Sequence, residues 1–309
     1  PGARWPRAFR PVVALVLKRL LGTRFVFDMR GFWADQRADC GAWPRGTIFR
    51  IAKWFEKRFL LSADSVISET RAAVDIMKGF EYLKDAPPDW EVVSTCTNLD
   101  LFHPAAKAQA EPDRDASFTL GFVGSLGIWY LFDQMLESFK VLRELRPNAR
   151  LLIVNRDSHA AIREGLRAAG IPAECVEIKA ADFRDVPREY ARMDAGFFFL
   201  KPCYSMAAVC PTKLGEFLAS GVPCLANDGI GDATAILEGA EVGVVLRSRD
   251  AASQRRAIAR LLELTADPAI SRRCAETARA HFDLSIGIRT IDGIYRSVTA
   301  PPALAGART

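Results

Sequence analysis

The residues best suited to bind a charged ligand lie in the run 210–216. Pro211 suits the first position of a helix, and Thr212 then offers a hydroxyl beside free backbone amides. Such a helix N-terminus attracts anions, and Lys213 adds a positive charge. Glu216 follows one turn later, where its carboxylate can accept two hydrogen bonds from the neighbouring hydroxyls of a ribose. The run predicts a phosphate and ribose site, although a solvated Lys213 and a Glu216 that only offsets the helix dipole fit the same residues.

A loop of small residues at 124–127 follows an apolar, strand-like run. Gly124 and Ser125 leave room for a phosphate or a base to approach the backbone. The spacing of Gly121, Gly124 and Gly127 does not match the dinucleotide fingerprint. Taken alone, this loop is therefore explained better by a tight turn that binds no ligand than by a binding site.

Charged residues follow other predicted strands. Arg156 and Lys201 come directly after apolar runs in the second part of the chain, where open α/β sheets bind their ligands. Asp28 and Arg30 follow a strand in the first part, and they are our catalytic candidates if they face an interdomain cleft. A buried Asp–Arg pair with a purely structural role explains these two residues equally well.

Composition excludes several classes of protein. The chain has 309 residues, of which 50% are hydrophobic and 26% charged, so we expect a globular protein of two domains or one large one. Seven cysteines without a Cys-x-x-Cys motif favour reduced thiols in the cytoplasm. The three histidines lack metal-ligand spacing, and we take Asp113 and Asp115 as surface charge, so we expect neither metal nor cofactor. The sequence has no apolar run long enough to span a membrane and no signal-peptide pattern.

Positive charge is concentrated at the beginning of the chain. Residues 1–60 hold 13 Lys and Arg against 4 Asp and Glu, whereas residues 61–309 hold 29 against 33. A basic region can attract nucleic acid, anionic lipid or a phosphate-bearing substrate, and it can also be a solvated face. Contact with an anionic membrane is one hypothesis. The aromatic and basic residues that would make it are Trp5, Phe9, Arg4, Arg7, Arg10, Lys18 and Arg19.

Strands alternate with helices from about residue 117 onward. This alternation predicts a parallel, doubly wound sheet with helices on both faces. The predicted strands are 118–126, 149–155, 175–180, 195–202, 222–227 and 242–247. The predicted helices include 130–147, a short helix that contains Tyr190, 211–221 and 250–298, the last with breaks near Pro268 and around 283–287. The first 112 residues predict only about three strands, at 24–31, 62–69 and 90–95, with helices at 11–21 and 47–61. The stretch 104–116 is the best candidate for a linker.

The run 210–232, CPTKLGEFLASGVPCLANDGIGD, resembles the donor-binding segment of family 4 glycosyltransferases of the GT-B fold. Residues 97–104 look like the interdomain signature of that family, with its usual Gly-Val reduced to Leu99. Other stretches also resemble the family. They are 121–126 at the first strand of the C-terminal domain, 25–37 in the acceptor domain, and 284–298 in the terminal helix.

The resemblance implies two Rossmann-like doubly wound domains. The N-terminal, acceptor-side domain would be 1–112, the nucleotide-sugar-binding domain 113–285, and the helix that returns to the first domain, with a tail, 286–309. Because the chain begins at Pro1, we expect a fragment that lacks the first part of the N-terminal domain and is itself inactive. The family transfers a sugar from a nucleotide diphosphate to an acceptor with retention, usually without a metal.

Carried over by position, the resemblance places Glu216 on the ribose, Thr212 and Lys213 on the diphosphate, and Gly124 and Ser125 against the donor. The acceptor would be a glycan or a lipid-linked glycoconjugate in bacterial polysaccharide assembly, with no nucleic acid partner. The enzyme would lie in the cytoplasm, with possible peripheral contact on the inner face of the membrane.

Two departures from the family pattern bear on catalysis. The first Glu of the E-x7-E motif is replaced by Ala208, and the Arg and Lys pair after the first strand is missing. The role of that pair would pass to Arg156, Lys201 or Lys213. The alternatives are a degenerate GT-B module that binds a nucleotide or partner without catalysis and, less favoured, a nucleotide-sugar epimerase.

Overall fold

The computed structural model describes residues 10–104 and 117–299. The aromatic and basic residues predicted to touch a membrane at the beginning of the chain, together with the Asp-x-Asp pair and most of the predicted linker, lie outside the described residues. They are Arg4, Trp5, Arg7, Phe9, the Arg10 side chain, Asp113, Asp115 and 105–116.

Chain contacts divide the protein into two units. Residues 1–93 and 285–309 form the first, and residues 94–284 form the second. The sequence analysis placed the first boundary after residue 112, whereas the contacts place it after Val93. The reason is local, because Thr97 pairs with the end of a C-terminal helix: its backbone N–H donates to the Phe282 carbonyl at 2.7 Å, and the Leu284 N–H donates back to its carbonyl at 3.2 Å.

The first unit contains a small parallel sheet. Its strands β1 (Val26–Met29), β2 (Ser65–Ser68) and β3 (Asp89–Val92) are hydrogen-bonded in that order. They alternate with the helices α1 (Arg10–Leu21), α2 (Trp33–Asp39), α3 (Thr47–Ser62) and α4 (Arg71–Lys78). The sequence analysis predicted all three strands together with α1 and α3, but neither α2 nor α4.

The second unit contains a six-stranded parallel sheet with the order β6-β5-β4-β7-β8-β9. The strands are β4 (Thr119–Val123), β5 (Arg150–Val154), β6 (Val176–Lys179), β7 (Ala195–Phe198), β8 (Cys224–Asn227) and β9 (Gly243–Leu246). The helices between them are α5 (Phe132–Leu145), α6 (His159–Ala168), α7 (Val186–Ala191), α8 (Thr212–Ala219) and α9 (Ala233–Gly239). The predicted α/β fold class with parallel, helix-covered sheets is confirmed.

Helices α10 (Ala251–Ala266), α11 (Ile270–Phe282) and α12 (Leu284–Thr299) follow the last strand. They correspond to the helical region predicted for 250–298, with breaks at the two places expected from the sequence. Nearly all of α12 groups with the first unit by its contacts.

Apolar side chains cover both faces of the six-stranded sheet. On β4, Phe122 belongs to one buried cluster and its neighbour Val123 to the other, because successive side chains of a strand point to opposite faces. The order of the strands reverses between β4 and β7, and the chain leaves the sheet at the carboxyl end of each strand. Open α/β sheets bind ligands at this switch point.

Candidate functional site

A cavity of about 270 Å³ opens at the carboxyl ends of β4 and β5. Its wall brings together four of the residues that the sequence analysis selected, although they lie far apart in the chain. They are Gly124, Ser125, Arg156 and Glu216. The wall also includes Asn155 and two apolar side chains near α7, Phe183 and Val186.

The turn after β4 needs a glycine at position 124. Gly124 has φ +121°, a conformation that residues with a Cβ rarely adopt. Its carbonyl accepts a hydrogen bond from Asn155 Nδ2 at 2.9 Å, and Asn155 Oδ1 in turn accepts from the backbone N–H of Asp157 and Ser158 at 3.0 and 2.7 Å. A buried asparagine thus holds the turns after β4 and β5 together.

Lys213 lies directly behind this turn. A Cβ built on Gly124 would be 3.2 Å from Lys213 Nζ. The side chain is 8% exposed, and its ammonium nitrogen finds no hydrogen-bond partner among the described residues. The nitrogen lies 4.1 Å and 4.0 Å from the ring centroids of Phe122 and Tyr130. The alternative of a solvated Lys213 is therefore wrong.

The surroundings of Lys213 disfavour its positive charge. Burial lowers the pKa of the ammonium to about 7, and the negative charge of Glu216 only partly opposes this. Aromatic faces attract a cation, but they do not supply the hydrogen bonds that an ammonium makes in water. A buried donor without a partner is uncommon in folded proteins and suits an anion that arrives with a ligand.

Glu216 carries the carboxylate of the cavity wall. Its Oε2 accepts a hydrogen bond from the hydroxyl of Tyr190, at 2.8 Å. Burial raises the pKa of the Glu216 carboxyl, while the Tyr190 hydroxyl and the charge of Lys213 act in the opposite direction. The carboxylate thus joins a fully buried tyrosine on one side to the cavity on the other.

The helix that carries Lys213 and Glu216 begins one residue later than the sequence analysis predicted. Pro211 has extended backbone angles and occupies the N-cap, so Thr212 is the first helical residue. Thr212 is exposed and does not line the cavity. Lys201 is also exposed and absent from the cavity wall, while its backbone N–H donates to the Trp129 carbonyl at 2.8 Å.

Arg156 reaches the cavity as an exposed cation. Its guanidinium donates to the Ala181 carbonyl at 3.2 Å and to Asp182 Oδ1 at 3.4 Å. Ala208, which stands where the related family has a glutamate, is 1% exposed at the end of a short 3-10 helix, Tyr204–Ala208. That position therefore offers a buried methyl group and no carboxylate.

Asp28 and Arg30 belong to the first unit, whereas the residues of the cavity wall belong to the second. Both side chains are about half exposed, and Arg30 Nε pairs with Asp28 Oδ1 at 2.9 Å and its NH1 with Glu69 at 3.7 Å. The alternative of a buried structural pair is wrong, because solvent reaches both partners. Their catalytic role stays a prediction.

The sequence analysis did not select Tyr190 or the ring of Phe122 as site residues. Tyr190 was placed in a short helix, but nothing local in the sequence indicates that its hydroxyl meets a carboxylate on another helix. Asn155 gave a weak signal, because it follows β5 at the edge where ligands bind.

A second cavity, of about 290 Å³, lies beyond β8 and β9. Its wall includes Asn227, which is buried and already bonded to both backbone groups of Leu200. Of the two arginines in its wall, Arg247 and Arg249, the first is paired with Glu238 at 2.6 Å. Asn227 and Arg247 have protein partners, so the unsatisfied ammonium behind Gly124 makes the cavity at β4 and β5 the stronger candidate.

Within 10–104 and 117–299, no group of three or more His, Cys, Asp or Glu side chains is arranged to hold a metal ion. Over the same residues, no helix combines the length and apolar character needed to cross a bilayer.

Comparison with known proteins matches residues 105–281, more than half of the chain, to the family model described as glycosyl transferases group 1. A search of curated proteins found no match.

Several solved structures share the fold. Sucrose-phosphate synthase from Thermosynechococcus elongatus is 19% identical, with a TM-score of 0.68 over 94% of this chain and 72% of that one. The Anabaena protein HepE in complex with UDP is 16% identical, with a TM-score of 0.69 over 94% and 77%. A glycosyltransferase from Rickettsia africae is 15% identical, with a TM-score of 0.65 over 92% and 73%.

Proposed function

Because the chain belongs to the group 1 glycosyl transferases, we propose that it transfers a sugar from a nucleotide diphosphate sugar to a glycan or lipid-linked glycoconjugate. We further propose that it is a family 4 member and that transfer retains the anomeric configuration. The support for both is the resemblance of residues 210–232 to the donor-binding segment of that family.

One observation carries the proposal of a nucleotide donor. The Glu216 carboxylate and the Gly124 turn line the cavity at β4 and β5, and the buried Lys213 ammonium, which is not part of the cavity wall, lies directly behind that turn. A carboxylate accepts hydrogen bonds from the two hydroxyls of a ribose, and a cation beside a glycine turn suits a diphosphate. The three groups therefore match the ribose and the diphosphate of one ligand.

The same groups would act on the departing diphosphate. Negative charge grows on that group as the bond to the sugar breaks, and groups already aimed at it lower the barrier. Lys213 would supply the charge, because its ammonium has no competing partner among the described residues. The amides at the start of α8 and the exposed Arg156 would add to the field. Asp28 and Arg30 would act on the acceptor side.

Calorimetric titration with UDP, GDP, ADP and dTDP tests the donor site. We expect one of them to bind, and we expect Glu216→Ala to lose at least about tenfold in affinity, the scale of a hydrogen bond to a charged group. Glu137→Ala is the matched control, since Glu137 is an exposed carboxylate on α5 paired only at the surface with Lys140. Wild-type protein that binds none of the four would contradict the proposal.

A transfer assay then separates catalysis from binding alone. Purified chain is incubated with the nucleotide sugar of the preferred base and a panel of glycan and lipid-linked acceptors, with and without EDTA. We expect transfer that survives EDTA, because the proposed reaction relies on Lys213 and backbone amides for charge. Nucleotide binding without transfer to any acceptor would favour the degenerate-module alternative.

For a lipid-linked acceptor, the proposal includes peripheral contact of the protein with a membrane. The protein would then lie in the cytoplasm, at the inner face of that membrane. Its support is α3, whose exposed face carries large apolar and basic side chains. They are Ile48, Ile51, Trp54, Leu61, Arg50, Lys57 and Arg58. The single acidic residue of α3, which is described in full, is the buried Glu56. An apolar and cationic face suits an anionic lipid surface.

Of the residues first predicted for this contact, Lys18 fits less well. Lys18 is only part exposed and pairs with Asp64 at 2.5 Å, so its charge is already partly neutralised. Sedimentation with anionic vesicles at low salt, against neutral vesicles, tests the contact. Wild-type protein should sediment only with anionic vesicles and Trp54→Ser should sediment less, whereas equal sedimentation with both lipids would remove charge recognition from the proposal.

A further inference from the structure

Among the described residues, Glu216 accepts a side-chain hydrogen bond only from the hydroxyl of Tyr190. Tyr190 is fully buried on α7, and Glu216 lies on α8. The O–H donates to Oε2 at 2.8 Å, a normal distance for a hydrogen bond to a carboxylate. The bond therefore links two helices at the wall of the cavity.

The ring of Tyr190 is held on several sides. Phe217 packs edge-on against it with the ring centroids 4.7 Å apart, and Phe102 does so at 5.9 Å. A ring fixed in this way can deliver its hydroxyl to one place only. The carboxylate that receives the bond is held in turn, and less conformational freedom remains to be lost when a ligand binds.

Glu216 needs such a support, because it lines the cavity while a large part of its side chain is buried. Two groups within the unit lower the pKa of its carboxyl: the neutral Tyr190 hydroxyl on α7 by hydrogen bonding, and the positive charge of Lys213 on the same helix. Arg156 and Asp157 on the turn after β5 also face the cavity. Without the tyrosine hydroxyl, burial would act on the carboxyl with only Lys213 clearly opposing it.

We propose that Tyr190 is a positioning residue for ribose recognition, whose hydroxyl holds the Glu216 carboxylate in the orientation that accepts the ribose hydroxyls. The inference rests on the proposed function, because it assigns a ribose to the Glu216 side of the cavity. Tyr190 itself does not line the cavity, so it acts through Glu216.

The test compares two probes on one site. The nucleoside diphosphate that binds best and its 2′,3′-dideoxy analogue are titrated into wild type, Tyr190→Phe, Glu216→Ala and the double variant. We expect Tyr190→Phe to weaken the ribonucleotide by about tenfold and to leave the dideoxy analogue unchanged. The double variant should be no weaker than Glu216→Ala, because the two residues act on the same hydroxyls.

A packing control separates positioning from a structural role. Phe102→Leu removes a ring from the surroundings of Tyr190 but leaves its hydroxyl in place. We expect this variant to be less stable while it keeps the wild-type ratio of the two affinities, because Phe217, the nearer ring at 4.7 Å, still holds Tyr190 and the hydroxyl still reaches Glu216. If Phe102→Leu lowers the ratio as much as Tyr190→Phe does, Tyr190 is a packing residue and the inference is overturned.

A pH profile gives an independent readout. The ribose hydroxyls donate to an ionised carboxylate, so ribonucleotide affinity falls as the pH drops through the pKa of Glu216. Tyr190→Phe removes a group that lowers this pKa, and the fall should begin at a higher pH than in wild type. An unchanged profile would overturn the inference.

The outcomes distinguish the inference from the function on which it rests. Wild type that binds no nucleotide, or Glu216→Ala that still prefers the ribonucleotide, would contradict the proposed donor site. Wild type and Glu216→Ala that behave as expected, with Tyr190→Phe keeping the wild-type preference, would overturn the role of Tyr190 alone.

Discussion

Helices α3 and α8 each carry a lysine followed three residues later by a glutamate, and the hydrogen-bond partners of the two lysines differ. On α3 in the first unit, Lys53 Nζ donates to Asp35 at 2.9 Å and also to Glu56. On α8 in the second unit, Lys213 has no hydrogen-bond partner within the described part of the chain, and Glu216 accepts from a tyrosine instead.

The pKa values of the two lysines are shifted in opposite directions. Burial disfavours the charged form of Lys53, but the attraction and hydrogen bonds of Glu56 and Asp35 outweigh it and raise the pKa of its ammonium. Burial lowers the pKa of Lys213 to about 7, because the attraction of Glu216 is weaker than the burial effect. A cluster whose charges satisfy one another supports the fold, whereas an unsatisfied ammonium beside a cavity is available to a ligand.

The largest effect is expected on the free energy of unfolding when Lys53 of the first unit is replaced. Lys53→Met leaves the carboxylates of Asp35 and Glu56 buried without their shared cation, and removal of one partner from a buried ion cluster costs about 3 kcal/mol. Urea denaturation should show this loss in the free energy of unfolding.

The control for Lys53→Met is Lys140→Met, which breaks an exposed pair with Glu137 on α5. That change should cost no more than about 0.5 kcal/mol. Equal losses for the two variants would mean that the Lys53 cluster behaves as a surface pair, and the contrast between the two helices would fail.

The second prediction concerns Lys213. Lys213→Met removes a buried donor that has no hydrogen-bond partner among the described residues, so at pH 7 we expect the free energy of unfolding to stay within about 1 kcal/mol of wild type. Affinity for the nucleoside diphosphate should fall by about tenfold, or about 1.4 kcal/mol, since the ligand loses a charged partner. Calorimetry and urea denaturation on the same preparation check both. A large loss of stability with unchanged affinity would reverse the assignment.

The third prediction uses the opposite pKa shifts. Lys213 has a folded-state pKa below its unfolded one, so the unfolded chain binds more protons above about pH 7. Its contribution to stability should therefore rise with pH between about 7 and 10.5, by up to about 1.4 kcal/mol per pH unit. Lys53 has a raised pKa, so its contribution is fully present below about pH 10.5 and is lost as the pH rises through the folded-state pKa.

The measurement for this prediction is the difference in free energy of unfolding between wild type and Lys213→Met from pH 7 to 9. Lys53→Met provides the comparison, because its difference from wild type should stay constant over that range. If the stability of wild type does not rise relative to that of Lys213→Met between pH 7 and 9, the buried ammonium keeps its charge over this range.

The smallest effect is expected at the glycine turn that makes room for Lys213. Gly124→Ala places a Cβ at φ +121° and about 3.2 Å from the lysine nitrogen, and such strain costs about 1 kcal/mol. Gly127→Ala is the matched control in the same loop, since a Cβ there meets no atom within 4 Å. If both variants melt at the same temperature, the turn does not depend on a glycine at position 124.

The strands and most helices could be predicted from the sequence, because apolar periodicity is a local property. All six strands of the second unit were predicted, and their alternation with helices indicated a parallel sheet. Helix α2 was missed, since it has only seven residues and no side chain caps its first turn. Helix α4 was missed although Thr70 caps it, with its hydroxyl accepting from the Ala73 N–H at 3.1 Å.

The candidate site could be predicted in part. Gly124, Ser125, Arg156 and Glu216 meet at one cavity, as expected for residues at the carboxyl edge of a parallel sheet. Thr212 and Lys201 lie at the same edge but not on the cavity wall, because position along the chain does not determine where a side chain reaches.

The sequence by itself determined the alternating elements and the three-residue spacing that places each lysine and its glutamate on one helix face. Only the tertiary structure decided which pair would be satisfied. Asp35 comes from another helix to complete the first pair, whereas the second meets two aromatic rings and the hydroxyl of Tyr190. Helical spacing depends on local backbone geometry, but the solvation and partners of a charge depend on residues that are distant in the chain.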